Sequence, residues 1–176
     1  MIKVTNSLLG YVCVKRSSGF ARIEFPEGIS VISRELLWQM LKDEKGMFHE
    51  EEIVEVYIPD DVCVISDNAF RDCVNLRSVH LNSGGSNLHY IGQFAFCGCS
   101  SLYIFDKSPE LRYVGTGSFI GTKVPCFNMI DRDLKVDYIS DKAFERENGV
   151  RKSSCVIDSD ICGILKANIG GVVDYA

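Results

Sequence analysis

Ile65-Ser66-Asp67-Asn68-Ala69-Phe70 recurs three more times along the chain. The further copies are Ile91-Gly92-Gln93-Phe94-Ala95-Phe96, Val114-Gly115-Thr116-Gly117-Ser118-Phe119 and Ile139-Ser140-Asp141-Lys142-Ala143-Phe144. Each reads aliphatic, Ser or Gly, two variable residues, Ala or Ser, then Phe. The Phe residues lie 26, 23 and 25 positions apart. Self-similarity at such a period is the mark of a stacked array, in which one coil cannot bury its apolar residues without its neighbours.

The match extends outward from each hexapeptide. Three residues before the aliphatic stand Val62, Leu88, Leu111 and Val136. Three after the Phe come Cys73 and Cys99, followed by Leu76 and Leu102. Short β-like stretches flank these, including Ile53-Val54-Glu55-Val56-Tyr57-Ile58-Pro59 and Leu76-Arg77-Ser78-Val79-His80-Leu81. A divergent earlier copy keeps the spacing through Phe20, Ile23, Phe25-Pro26, Ile29 and Ile32-Ser33, with Leu37 in the Phe place. The aliphatic and the Phe, five apart, are expected to point inward. The small residues at 66, 92, 115 and 140, and at 69, 95, 118 and 143, should let adjacent coils approach.

These motifs resemble the BspA-type (Treponema pallidum-type) leucine-rich repeats, whose consensus runs Ile-Pro-x-x-Val-x-x-Ile-Gly-x-x-Ala-Phe-x-x-Cys-x-x-Leu-x-x-Val. The block Ile58 to Leu81 follows it almost residue by residue, and the likeness extends from about Phe20 to Ile157. The resemblance implies an α/β-type repeat fold: a right-handed solenoid of about five irregular repeats, with one short parallel strand per turn lining one face. It also implies protein binding, since many bacterial and protozoan members adhere to surfaces and to host proteins.

The organisation expected is one domain over 1–176. A divergent N-terminal repeat and cap occupies 1–52, regular repeats 53–157, and a C-terminal cap 158–176. Between Ile32 and Ile65 the spacing widens to 33 residues. The extra material has apolar residues at 37, 40, 41 and, alternatively, 38, an amphipathic pattern that predicts a helix over about 34–45, capped by Ser33 and stopped near Gly46. Trp38, the only tryptophan, is expected to cover the core of the first strand. Glu50-Glu51-Glu52 reads as a solvated acidic face that could attract a basic partner. Asn82-Ser83-Gly84-Gly85-Ser86-Asn87 reads as a turn, because it lacks the lysine and strand-to-helix setting of a phosphate loop. Phe127 and Met129 restore the apolar register of a later coil. Cys155 and Ile157 suit a final strand, and residues 159–167 a capping helix.

Composition narrows the function. At 176 residues with 46% hydrophobic and 24% charged residues, the chain has enough apolar material to form a core without disulfides or metals. The net charge of −5, with both signs interspersed, argues against nucleic acid or an anionic membrane as partner. No apolar run approaches the ~20 residues of a membrane span. The stretch Leu8 to Val14 is followed directly by Lys15-Arg16 and lacks a small-x-small cleavage site, so it is expected to be a capping strand. A cytosolic setting with reduced thiols follows, with secretion or the cell surface as the alternative.

The eight cysteines and three histidines do not form the spacing of a metal site or a Cys–His pair. Cys97-Gly98-Cys99 is not a zinc knuckle, and Cys73 and Cys99 read as small buried groups. No cofactor, no metal and no catalytic residue is expected. What a solenoid offers is a surface. If Val56, Ile58, Val79, Leu81, Phe105, Phe127 and Met129 face inward, the alternate positions form an outward ladder. The partner-binding candidates on it are Arg22, Glu24, Glu55, Tyr57, Ser78, His80, Ile104, Asp106 and Asn128. Tyr103, Phe94 and Tyr113 are further aromatic candidates.

The expected function is therefore a non-enzymatic module that recognises a protein through its strand-lined face or edge loops. Two alternatives stand beside it. One is an intracellular inhibitor or effector that blocks a macromolecule with an acidic surface, and the other is a cell-surface adhesion protein. A homodimer through solenoid edges or the apolar 169–173 segment also stays open.

Overall fold

The computed structural model describes residues 2–6, 10–17, 20–41, 49–82, 86–125, 138–140 and 142–144. Its core is the stack of phenylalanines foreseen from the repeat. Phe70 and Phe96 lie face to face with ring centroids 5.1 Å apart, Phe96 and Phe119 at 5.3 Å, and Phe119 and Phe144 at 5.1 Å. Phe105 wedges edge-on between Phe96 and Phe119 at 5.3 and 5.4 Å. Phe25 closes the N-terminal end edge-on to Phe70. Stacked and T-shaped pairs are the two arrangements that the ring quadrupole favours.

Around this column each coil contributes strands to two sheets. The first sheet has the order β1 (Ile2–Asn6), β2 (Gly10–Ser17), β3 (Phe20–Glu24), β5 (Ile53–Ile58), β7 (Ser78–Leu81) and β9 (Ile104–Phe105). Pairing is antiparallel from β1 to β3 and parallel from β3 onward. The second sheet is wholly parallel. It runs through β4 (Val31–Ile32), β6 (Val64–Ile65), β8 (Tyr90–Ile91), β10 (Tyr113–Val114) and β11 (Tyr138–Ile139). The expectation of one strand per turn is thus corrected to two. The aliphatic of each hexapeptide is itself the inward residue of a two-residue strand.

The inward rows are dry. Ile23, Val56, Val79 and Phe105 align in the first sheet, and Ile32, Ile65, Ile91 and Val114 in the second, all buried. The Phe turns also hydrogen-bond from coil to coil. The amides of Phe70, Phe96 and Phe119 donate to the carbonyls of Ala95, Ser118 and Ala143 at 2.7, 2.8 and 2.7 Å. To keep that ladder, the position two before each Phe turns to positive φ, at Asn68, Phe94 and Gly117. The small residues do what their spacing suggested. A Cβ on Gly92 would sit 2.5 Å from the Asp67 amide nitrogen and 2.7 Å from the Ser66 carbonyl carbon.

The N-terminal coil departs from the pattern. Helix α1 (Arg34–Leu41) replaces the Phe turn, with Ser33 Oγ accepting from the Leu36 amide at 3.2 Å as its cap. Leu37 fills the Phe place and is fully buried, with Met40 and Leu41 beside it. Residues 42–45 of the expected helix lie outside the described residues. Trp38 is 48% exposed, because the face carrying Leu37, Met40 and Leu41 leaves it to one side. The segment around Val12 is a strand, β2, as expected. Phe127, Met129, Asn128 and the whole C-terminal cap over 158–176 lie outside the described residues.

Two substitutions test this packing by chemical denaturation. Phe96→Ala removes the middle of the stack and is expected to lower stability by about 3–5 kcal/mol. Gly92→Ala forces backbone apart between coils and is expected to cost about 1–3 kcal/mol.

Candidate recognition face

The outward residues of the first sheet assemble by register into two adjacent rows. One runs Arg22, Glu55, Ser78, Ile104, and the other Glu24, Tyr57, His80. Asp106 continues the second row just beyond β9, its amide donating to the Val79 carbonyl at 3.1 Å. Eight of the nine residues singled out from the sequence therefore stand together. The ninth, Asn128, lies outside the described residues.

The side chains interlock along and across the rows. Arg22 pairs with Glu55 at 2.5 Å, and its guanidinium carbon lies 5.5 Å from the centroid of the Tyr57 ring. Tyr57 stacks on His80 with centroids 4.9 Å apart. His80 Nδ1 lies 3.3 Å from Asp106 Oδ2, which also accepts from the Leu81 amide at 3.2 Å. An ionised carboxylate only accepts, so the Nδ1 proton points at Asp106. Each of these half-exposed links is worth little by itself. Together they hold an arginine, a tyrosine, an imidazole and a carboxylate in a fixed line, which lowers the entropy lost when a partner docks.

One member of the row is corrected. Ser78 is only 4% exposed, because its short side chain sits between the taller Glu55 and Ile104 in the same row. It spaces the face and is not open to a partner. Ile104 and, beside it, Tyr103 are exposed, giving the row an apolar end.

The second sheet carries an aromatic row of which sequence reasoning singled out only Tyr113. Tyr90 and Tyr113 stack at 4.5 Å, and Tyr113 and Tyr138 at 4.9 Å, continuing outward positions occupied by Val31 and Val64. The signal was present: a Tyr precedes the repeat aliphatic in three copies, Tyr90-Ile91, Tyr113-Val114 and Tyr138-Ile139. Phe94, another candidate, is half-buried under the guanidinium of Arg71 at 5.7 Å.

Among the described cysteines, Cys73 and Cys99 behave as packing residues. Cys73 and Cys99 are fully buried, and Cys99 Sγ donates to the Phe70 carbonyl at 3.0 Å. A shared hydrogen bond with Cys73, followed by burial, pushes the Cys99 thiol far above its ordinary value, the opposite of what a reactive or metal-binding thiolate requires. Among the described residues, no group of three His, Cys, Asp or Glu could hold a metal, and no helix is long and apolar enough to cross a membrane.

Comparison with known families matches the BspA-type leucine-rich repeat region in six copies over residues 20–151. The chain belongs to the BspA-type leucine-rich repeat family. Two solved structures are similar at low identity. A leucine-rich cell surface protein of Faecalibacterium prausnitzii is 18% identical with a TM-score of 0.40, covering 82% of this chain and 46% of that one. The T. pallidum leucine-rich repeat protein is 18% identical with a TM-score of 0.33, covering 72% and 69%. The chain thus spans less than half the length of the Faecalibacterium protein. A comparison with curated proteins returns no match.

The tyrosine row of this BspA-type repeat gives a pH test. Burial, then the neighbouring Tyr90 and Tyr138, raises Tyr113 above its ordinary value of 10.0. A group raised on folding contributes stability below its unfolded pKa, and that contribution is lost as pH climbs through the folded one. Absorbance titration should show a tyrosine ionising later than the others. The fall in melting temperature above about pH 10 should shrink in Tyr113→Phe.

Proposed function

We propose that this protein is a non-enzymatic recognition module that binds a protein partner through the strand-lined face of its solenoid. The observation that carries the reading is the interlocked line Arg22–Tyr57–His80–Asp106, which presents both charges, an aromatic ring and an imidazole in a fixed order. Tyr and Arg are the residues most often found at the centre of protein interfaces. The neighbouring row, Glu55–Ser78–Ile104, ends at Ile104 with Tyr103 beside it, an exposed pair that supports a protein partner with an apolar patch of its own. Sequence spacing carries the row of Tyr57, His80 and Asp106 on to Asn128.

Location divides the finer alternatives. An inhibitor that blocks a macromolecule inside the cell and an adhesion protein at the cell surface would use the same face but find their partners in different extracts. Affinity capture from separate cytosolic and surface fractions decides between them. The double variant Tyr57→Ala/His80→Ala is expected to lose most of the captured partner while keeping the circular dichroism and melting temperature of the parent. Undiminished capture by a folded double variant would remove the strand-lined face from consideration.

A further inference from the structure

The second sheet sets three phenol rings one above another, away from the strand-lined face. Tyr90, Tyr113 and Tyr138 hold the same register position in β8, β10 and β11. Tyr90 and Tyr113 are 4.5 Å apart by ring centroid with 3° between their planes, and Tyr113 and Tyr138 are 4.9 Å apart with 19°. The backbone fixes this spacing, since the Tyr113 amide donates to the His89 carbonyl and the Tyr138 amide to the Arg112 carbonyl, both at 2.9 Å. Tyr138 is 39% exposed and the other two are half-buried, so solvent reaches the row through Tyr138. Tyr57, by contrast, stacks on a histidine, and Tyr103 has no tyrosine ring against it among the described residues.

A stack of like rings on parallel strands puts equivalent carbons at nearly the centroid separation, here about one strand interval. Burial, then the charge of the neighbouring phenols, raises Tyr113, and a hydrogen bond with Tyr90 is among the further causes. The hydroxyl ends of these rings therefore lie together. The carbon beside the hydroxyl is where a phenoxyl radical carries much of its unpaired spin. Two such carbons held side by side react as an intramolecular pair, with an effective concentration far above that of free tyrosine. Half-exposed rings have room to swing from the stacked to the edge-joined arrangement.

We infer that Tyr113 is a site of oxidative cross-linking, joined to Tyr90 or Tyr138 by a dityrosine bond. The co-reactant is a one-electron oxidant of phenols, supplied by hydrogen peroxide through a haem peroxidase. Each of two tyrosines loses one electron and its hydroxyl proton. The two phenoxyl radicals form one carbon–carbon bond between their ortho positions, and the two ring hydrogens displaced there move to the phenolic oxygens. The protein loses two hydrogen atoms, and one hydrogen peroxide becomes two waters. The product ties together coils otherwise held by packing and hydrogen bonds, and a covalent tie restricts the unfolded chain.

Treating the full chain with peroxide and a haem peroxidase at neutral pH should give dityrosine emission in the monomer band of a denaturing gel. Its yield per chain should not change on dilution, and peptide mass mapping should find Tyr113 joined to Tyr90 or Tyr138. Tyr113→Phe keeps a ring in the stack but leaves Tyr90 and Tyr138 two strand intervals apart, roughly 9–10 Å. Its monomer-band emission should fall at least about tenfold. Tyr90→Phe/Tyr138→Phe, which keeps Tyr113 and removes both partners, should lose the product equally. Tyr103→Phe, which removes the most exposed tyrosine among the described residues, should change nothing. The melting temperature should rise on treatment in the parent and not in Tyr113→Phe. Emission confined to dimers, a yield that falls on dilution, or maps without Tyr113 would overturn the inference. So would a Tyr113→Phe chain, folded by circular dichroism, that cross-links or gains stability as the parent does.

Discussion

Face-to-face stacking of Phe70, Phe96, Phe119 and Phe144 at 5.1–5.3 Å is compatible with only one kind of surrounding backbone. Neighbouring strands in a sheet lie ~4.7–4.9 Å apart, close enough to the ring spacing for a small offset to reconcile the two. The aromatic column and the hydrogen-bond ladders of two sheets and of the Phe turns are therefore satisfied by the same translation. Changing the interval would cost ring contacts and ladder bonds together. That coupling explains why Gly92 and Gly115 are needed where they are: at this interval a side chain on either would meet the backbone of the preceding coil.

A fixed interval also governs the outside of the molecule. Any residue type repeated at one place in the coil becomes a row with about 5 Å between members, whatever its chemistry. Tyr57 and His80 stack at 4.9 Å for this reason, as do Tyr113 and Tyr138. Height within a row then decides access, and so Ser78 is hidden while Ile104, at the end of the same row, is exposed. Recognition surfaces in this fold are built by choosing outward residues row by row, with no backbone change required.

What could be read from the sequence follows from the same logic. The Phe and aliphatic positions recur at a nearly constant interval, and β5 and β7 are long enough to show alternation, so the inward row and all eight described face residues were legible. The second sheet was not, since a two-residue strand has no alternation to detect and its Tyr–aliphatic pairs look like loop. Side-chain height was not legible either, which is why Ser78 was expected to be open. Trp38 stays half exposed on a helix whose apolar set can be drawn through 37 and 41 or through 38. At roughly 100° per residue, Trp38 lies well to the side of the Leu37–Met40–Leu41 stripe.

The N-terminal coil shows what happens where the interval cannot be kept. A helix in place of the Phe turn puts Leu37 at the column's end and leaves Phe25 to close it edge-on. The helix has no ladder of amides to share with Phe70's turn, so a side chain, Arg34, makes the connection to the Arg71 carbonyl instead. A side-chain tether holds two elements further apart than a backbone ladder does. The gap it spans is a cleft beside Trp38. The periodic face and the aperiodic cleft thus have a single origin: one is what coils present when they stack in register, and the other is what opens where the register ends.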